Sequence, residues 1–540
     1  MSTAPQVPDP HTQMGEAERA FRPAEPPSVG LDAVLDAAGP GASLTPSVAD
    51  GAIVSGVCLD SRAVQPGDLY AALPGARVHG ACFGAAAAAA GAAAILTDPA
   101  GAAQLGSVGL PLVVVPDPRA VLGAVSARVY GTRADAPRLL AVTGTNGKTT
   151  TTYLLRSLLD ALGRRTGLVG TIEILAGDTP IPSVLTTPEA PQLHALMARM
   201  REAEVQDAAM EVSSHSLEFR RVAGLRYAVS GFTNLTQDHL DLHGSMEAYL
   251  AAKSKLFTPE YSAAAVITVD DAWGERMAAL SREAGVRTVT LSTGGGATAA
   301  DWSVREASRE GLGHRFALVH GDGRRLDAVT GLPGDFNVSN AALALAMLLE
   351  SGVDIDTLQE TLHGEGRPLT PSVPGRMQVI GTSPTAIVDF AHNPDAIVRA
   401  LESVRTDRGR TIVVFGATGE RDTSKRPIMG ALAAANADVV IVTDDDPHGE
   451  EPAGIRAQVL HGAREAADAG TLVLEVAPRA AAIAEAARIA APEDVILVAG
   501  RGHEVWQEVA GVNLALDDRQ ELREALARVR AETHPDTVTE

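Results

Sequence analysis

The stretch Leu139-Leu140-Ala141-Val142-Thr143-Gly144-Thr145-Asn146-Gly147-Lys148-Thr149-Thr150 decides how the middle of this chain folds. Its apolar opening reads as a buried strand. Behind it, Leu154, Leu155, Leu158, Leu159 and Leu162 recur at helical spacing. A strand that runs through a Gly-containing loop into a helix is a phosphate cradle. Glycines let backbone N–H groups point at an anion, and the helix N-terminus adds its partial positive charge. Lys148 is placed to reach β- and γ-phosphates, and Thr149 to ligand Mg²⁺. The general P-loop spacing puts a first glycine where this chain has Val142, so the match is partial. ATP is the nucleotide expected, cradled by Gly144, Thr145, Asn146, Gly147, Lys148, Thr149 and Thr150.

Working outward, 540 residues are too many for one core and suggest about three domains. Residues 1–28 are rich in Pro, Ala and Glu without periodicity and are expected to be a disordered tail. Short apolar runs among alanine-rich helical stretches make 29–135 a small α/β domain. The segment 136–370 has room for a doubly wound sheet around the phosphate loop. A breaker at Pro368-Leu369-Thr370-Pro371-Ser372-Val373-Pro374 precedes a third α/β unit over 371–528. There, strands expected at 412–415, 439–442 and 495–499 alternate with helices, which implies a mainly parallel, Rossmann-like sheet. Residues 529–540 read as a frayed tail.

Composition excludes several function classes. The net charge of −22 argues against a nucleic-acid binder that relies on a broadly basic surface. Cys58 and Cys82 lack metal-ligand spacing and suit a reducing compartment. No apolar run is long enough to span a bilayer. The N-terminus carries Glu16 and Glu18 where a signal peptide needs an apolar core, so a cytoplasmic protein without stable membrane insertion is expected. Only four of the 45 Lys and Arg residues are lysine: Lys148, Lys253, Lys255 and Lys425. A chain that replaces lysine wherever arginine will serve keeps it where guanidinium cannot do the chemistry.

Two further constellations follow expected strands: Glu211-Val212-Ser213-Ser214-His215 and Asn234-Leu235-Thr236-Gln237-Asp238-His239-Leu240. A helix carries Ala251-Ala252-Lys253. Glu211 and His239 are suitable oxygen and nitrogen ligands for a metal set against a γ-phosphate. Together with the loop at 144–150, these segments resemble the central signatures of the Mur ligases. The resemblance implies that CO₂ carbamylates Lys253 and that the new carboxylate holds a second Mg²⁺, making the metal set Thr149, Glu211, His239 and Lys253. A carbamate forms on a neutral primary amine, for which guanidinium is no substitute. His215 is left without a role.

The resemblance extends to both flanks. Asn337 in Asp335-Phe336-Asn337-Val338-Ser339-Asn340 is expected beside adenine, although an Asn or Ser there also suits a helix cap. Arg376 in Pro374-Gly375-Arg376 is expected on ATP, Asp389 in Asp389-Phe390-Ala391-His392 on ribose, and His392 near the phosphates. Phe390 stands where Tyr is usual. Lys148, Lys253 and His392 form the expected catalytic set.

Within the family, Leu59-Asp60-Ser61-Arg62 and Gly75-Ala76-Arg77-Val78-His79-Gly80 resemble the UDP-binding part of the tripeptide synthetase branch. That implies substrate contacts at Leu59, Ser61, Ala76, Arg77, Val78, Thr186, Thr187, Ser213 and Arg221. His79 replaces a usual Asp, and Phe219 a Gln found in one subset. The activity implied is ADP-forming addition of a diamino acid to UDP-N-acetylmuramoyl-L-Ala-D-Glu by a monomer.

Three motifs at expected strand ends converge on one pocket, which resembles the branch's amino-acid site: Gly419-Glu420-Arg421-Asp422, Asp445-Asp446-Pro447-His448 and Gly500-Arg501-Gly502-His503-Glu504. Its expected ligands are Arg421, Asp445, Asp446, His448, Gly500 and Glu504. Enzymes that add meso-diaminopimelate carry Arg where His448 stands. A mostly neutral His and the added charge of Asp446 lean the reading towards an L-lysine-type substrate, with diaminopimelate the alternative if Arg501 substitutes. The rivals are the D-Ala-D-Ala-adding Mur enzyme, folylpolyglutamate synthase, and a P-loop switch or scaffold, which needs neither Lys253 nor a second metal.

Overall fold

The computed structural model describes residues 19–45, 51–75, 77–132, 137–182, 185–238, 240–294, 300–364, 366–406 and 408–533. Three main sheets carry the architecture. The strand Arg138–Thr143 lies in the interior of the central one, with Asp207–Glu211 and Tyr227–Phe232 parallel on its two sides. Its alternate residues serve two cores. Leu139 and Ala141 pack into one cluster, whereas Leu140 and Val142 face Leu154, Leu155 and Leu158 of the helix Lys148–Ala161 in the other. Burial on both faces explains why this strand is apolar throughout.

Among the described residues, eleven strands make the central sheet. Its outer portion, Trp302–Glu310, Gly313–His320 and Arg325–Thr330, is antiparallel. The helix Asp335–Glu350 then returns across the sheet and fills the second core with Leu343, Leu345 and Met347. In the first sheet, Gly56–Cys58, Asp68–Ala71, Ala94–Thr97 and Leu112–Val114 are parallel and Ser43–Thr45 closes one edge antiparallel. The third sheet runs Gln378–Thr382, Thr385–Asp389, Val495–Ala499, Thr411–Phe415, Val439–Val442, Leu472–Glu475, parallel apart from its first pair.

The three sheets are not equally joined. Leu69 and Val113 of the first share one continuous buried cluster with Ala141 and Leu193 of the central unit. The third sheet has two cores of its own, and Phe336 of the central unit packs against one of them.

Both expected tails and the breaker expected to separate the second and third domains need correction. Residues 19–28 are packed: Phe21 is buried, Arg22 pairs with buried Asp68 at 2.6 Å, and Glu202 accepts the N–H groups of Ala24 and Glu25. Polar composition hid these long-range anchors. At the other end, the helix Asp518–Thr533 runs past residue 529, and Val529 packs on the core. The breaker at 368–374 also lies against the central unit, with Leu369 and Val373 buried and the Leu369 carbonyl bonded to Thr330. Residues 1–18, 133–136 at the boundary of the first two expected domains, and 534–540 fall outside the described residues. No helix among the described residues is long and apolar enough to cross a membrane.

Candidate active site

The loop after Arg138–Thr143 is held by its right-hand neighbour in the sheet. Phe232 pairs with Thr143, so Thr233 and Asn234 emerge beside the glycines. Asn234 accepts the Asn146 N–H at 3.0 Å and returns its own amide to the Asn146 carbonyl at 3.2 Å. Gly144 and Gly147 have φ of 148° and 89°, and a Cβ would strike Thr233 Oγ1 from the first and Asn340 Oδ1 from the second. Both positions therefore require glycine.

On the other side, Glu211 pairs with Val142 and ends buried beside the loop. Its carboxylate accepts from Thr149 Oγ1 at 3.0 Å, Thr171 N at 2.8 Å and Thr171 Oγ1 at 3.1 Å. Lys148 donates to the carbonyls of Gly144 (3.0 Å) and Thr145 (2.8 Å). Lys253, buried at the end of the helix Met246–Ser254, donates to the same Gly144 carbonyl at 2.8 Å, and its Nζ stands 4.5 Å from the Tyr249 ring centre. Burial lowers the basicity of both amines. For Lys253 the neighbouring Lys148 lowers it further, well below the ordinary value. Two ammonium ions on one oxygen repel, and the geometry favours a neutral Lys253.

Six of the expected nucleotide residues line one cleft between the central and third units, whereas Gly144, Thr145, Lys148 and Thr149 are not among its lining. Asn146, Gly147, Thr150 and Asn337 form one wall, and Arg376, Asp389 and His392 the other. Asp389 accepts the N–H groups of Met377 (2.7 Å) and Ala391 (2.9 Å), which ties the arginine turn to the strand end. Arg376 lies over the Phe390 ring at 4.0 Å, and its buried Nε has no hydrogen-bond partner among the described residues. His392 Nδ1 bonds the Phe390 carbonyl at 2.7 Å, and burial lowers its pKa. Asn337 donates its Nδ2 to the Pro333 carbonyl and accepts from Asn340 Nδ2 at its Oδ1, so its local structural role is real even though it faces the cleft. Asn340, Thr233, Thr171 and Tyr249 were not assigned from the sequence. Only sheet order brings Thr171 to Glu211, although Asn340 stood in a motif already singled out.

Two of the expected metal ligands lie together. Thr149 and Glu211 offer two oxygens side by side, which suits Mg²⁺, an ion that takes one or two protein oxygens and completes its shell with phosphate and water. Among the described residues no group of three His, Cys, Asp or Glu is placed to hold a metal by itself. His239 falls outside those residues, as does Ala76.

The expected acceptor residues form two groups. Thr186 bonds Thr171, Thr187 bonds the Glu211 carbonyl at 3.0 Å, and Arg221 pairs with Glu189 at 2.9 Å and reaches the Thr187 carbonyl. Ser213 caps the short helix Ser214–Glu218. Leu59, Ser61, Arg77 and Val78 lie on loops leaving the adjacent strands Gly56–Cys58 and Asp68–Ala71, with Val78 half-exposed. His79 accepts the Ala81 N–H at 3.0 Å and pairs with Asp98 at 3.1 Å. It thus caps its turn as an Asp would.

In the third unit, Arg421, Asp445, Asp446, His448, Gly500 and Glu504 do come from the carboxyl ends of neighbouring strands. Arg421 is exposed. A Cβ on Gly500 would meet Asp445 Oδ2 at 2.6 Å. Glu504 is pushed up to about 8 by burial first and Asp445 second.

Three descriptions within one family match successive parts of the chain: "Mur ligase family, catalytic domain" over residues 53–130, "Mur ligase middle domain" over 142–348 and "Mur ligase, glutamate ligase domain" over 375–502. A UDP-N-acetylmuramyl-tripeptide synthetase of Leifsonia xyli subsp. xyli is 44% identical over 480 residues, covering 88% of this chain and 92% of that protein. This chain belongs to the Mur ligase family, in its tripeptide synthetase branch. A UDP-N-acetylmuramoyl-L-alanyl-D-glutamate–2,6-diaminopimelate ligase of Streptomyces coelicolor is also 44% identical, over 88% of this chain and 93% of its own. A solved structure of a ligase with that diaminopimelate name superposes with a TM-score of 0.63 at 31% identity, covering 89% of this chain and 97% of the other.

Those names favour the diaminopimelate alternative over the lysine-type reading, and the pocket shows why the electrostatic lean was weak. Asp446 is not a spare negative charge, because it pairs with fully buried Arg501, whose other end bonds the Trp506 carbonyl. The same contacts remove Arg501 as a substitute carboxylate grip. His448 pairs with Glu508 at 2.9 Å.

Proposed function

We propose that this ligase uses ATP to activate the D-Glu side-chain carboxylate of UDP-N-acetylmuramoyl-L-Ala-D-Glu and joins it to meso-diaminopimelate. The observation that carries the reading is the meeting of Lys148 and Lys253 on the Gly144 carbonyl, with Thr149 and Glu211 hydrogen-bonded alongside. That arrangement sets a phosphate-binding amine, a buried amine of low basicity and two metal-type oxygens around one point.

A carboxylate oxygen of the acceptor attacks the γ-phosphorus and ADP leaves, giving an acyl phosphate. The neutral amine of the incoming amino acid then attacks the acyl carbon, inorganic phosphate leaves, and the amine nitrogen gives up its extra proton. Lys148 and the N–H groups of 144–150 hold the transferring phosphate, Arg376 and His392 close on it from the third unit, and Asp389 and Asn337 border the nucleoside. Such catalysis is mostly positioning and charge stabilisation. Mg²⁺ supplies charge neutralisation for the phosphates when it is bound. Thr149, Glu211, His239 and a carbamate formed by CO₂ on Lys253 are the groups that would hold it.

Leu59, Ser61, Ala76, Arg77 and Val78 serve the UDP end of the acceptor, and Thr186, Thr187, Ser213 and Arg221 its peptide end. Arg421 takes a carboxylate of the amino acid, and Glu504 with Asp445 an ammonium. A second reading, L-lysine in place of diaminopimelate, is favoured by one observation only, the histidine at 448.

ADP release with the UDP-linked dipeptide and a panel of meso-diaminopimelate, lysine, ornithine and diaminobutyrate tests both. Turnover that requires dipeptide and diaminopimelate together is expected. Turnover with lysine alone overturns the choice of amine, and ADP release without either substrate overturns the ligase reading.

A further inference from the structure

Two of the three pocket motifs leave adjacent parallel strands, Thr411–Phe415 and Val439–Val442, and their tips need more than strand pairing to fix them. Each tip carries one side-chain-bearing residue in the left-handed region, Glu420 at φ 52° and His448 at φ 50°. Such residues hold that conformation only where their surroundings enforce it. The two tips also touch. The Gly419 N–H donates to the Asp446 carbonyl at 2.7 Å, and a Cβ on Gly419 would lie 1.9 Å from the Pro447 oxygen.

Beneath both tips lies Arg426, buried in the first turn of the helix Lys425–Asn436. Its Nη1 and Nη2 donate to the two oxygens of Glu450 at 2.9 and 2.8 Å. Nη2 also donates to the Thr418 carbonyl at 3.1 Å, and Nη1 to Gln458 at 3.0 Å. Glu450, two residues beyond His448, in turn accepts the backbone N–H of Glu420. One guanidinium and one carboxylate therefore join the helix, the first tip on both sides of Gly419, and the far end of the second tip. A planar fork is needed to reach two carboxylate oxygens and a carbonyl at once, which an ammonium cannot do.

We propose that Arg426 and Glu450 are a positioning pair for the ligation: by locking the two tips together they present Arg421 and His448 to the incoming diamino acid and so set its binding. The inference rests on the reading of these loops as the amino-acid pocket. Neither residue is part of the nucleotide cleft or the acceptor strip. A pair that merely stabilised the third unit would alter all substrates alike when removed, whereas a positioning pair alters one.

The test is steady-state ADP release by the full chain with ATP, the UDP-linked dipeptide and varied meso-diaminopimelate. The variants are Glu450→Gln, Arg426→Lys and, as a probe of the pocket itself, Glu504→Gln, with melting curves for each. Glu450 sits at the protein edge, so its isosteric change is the variant that keeps the fold. The expected result is a rise of about tenfold or more in KM for the amino acid in both Glu450→Gln and Arg426→Lys. KM for ATP and dipeptide should stay within about twofold. If Glu504→Gln raises that KM and Glu450→Gln does not, the positioning role is overturned and the pocket stands. If Glu504→Gln leaves it unmoved, the pocket reading itself fails. A parallel rise in all three KM values in folded Glu450→Gln overturns the pair as a specific device.

Discussion

The candidate phosphate loop of the central sheet and the proposed amino-acid pocket of the third sheet are built at equivalent places, the carboxyl ends of parallel strands, yet by different means. The loop relies on backbone. Its glycines leave no room for a Cβ, and its neighbours Asn234 and Thr233 bond peptide groups of residue 146. The pocket relies on charged side chains that bind one another: Asp446 with Arg501, His448 with Glu508, Arg426 with Glu450. A backbone cradle tolerates no change at a few positions and ignores the rest. A pocket of ion pairs can be retuned by substituting partners, which suits the part of a ligase that selects its substrate.

The contrast is broken most sharply at its chemical end. Lys253→Ala is expected to lower kcat by about 10³-fold or more, without rescue by bicarbonate, because no other side chain described there supplies the same anion. ¹³C-bicarbonate NMR of the wild-type chain should show a carbamate signal that this variant lacks. Full activity in Lys253→Ala would sink the carbamate assignment.

Next in size is a stability effect. Asp446→Leu removes the nearer of two carboxylates paired with the buried Arg501 guanidinium and is expected to cost roughly 3 kcal/mol, read by chemical denaturation. A loss below about 1 kcal/mol would mean that Glu504, 3.7 Å from Arg501, and the Trp506 carbonyl together satisfy the guanidinium.

A third prediction concerns protons. Glu504 titrates near 8 when burial opposes its charge, so at pH 7 it is mostly neutral, and an ammonium ligand must bind its ionised form. Binding at pH 7 should then release close to one proton, and affinity for the amino acid should rise as pH climbs from 6.5 towards 8. For folding the sign is reversed. The native state holds this proton above the unfolded carboxyl range, so the contribution of Glu504 to stability falls as pH rises from about 4.5 to about 8. Calorimetry in buffers of different ionisation enthalpy reads the proton release, and its absence would place Glu504 outside the ammonium site.

The smallest effect is expected at His448. His448→Arg offers a permanent fork in place of a ring paired with Glu508, and should lower KM for meso-diaminopimelate by roughly threefold to tenfold while leaving lysine unused. A gain for lysine instead would support the second reading.

Much of the nucleotide site was legible because its residues are sequential. Residues 144–150 form one continuous run, and the scarcity of lysine marked Lys148 and Lys253 independently of any motif. The pocket was legible only in outline. Spacing puts its three motifs at strand ends, but residue type alone makes Asp446 a free charge and Arg501 a spare grip. The ion pair that cancels both joins residues 55 apart in sequence. The tails misled in the same way, since Arg22 with Asp68 and Arg199 with the Ala20 carbonyl span distances that composition does not register.

By itself the sequence determined the strand–loop–helix that cradles phosphate, the α/β class and the family, because each follows from local spacing, apolar periodicity and residue types that no other residue replaces. Only the tertiary structure decided that Lys253 shares an oxygen with Lys148, that Thr171 completes the shell of Glu211, and which charges in the amino-acid pocket are already spent. Those facts depend on sheet order and on distances between segments far apart in the chain, where an ion pair forms or fails to form through geometry that spacing along the sequence does not carry.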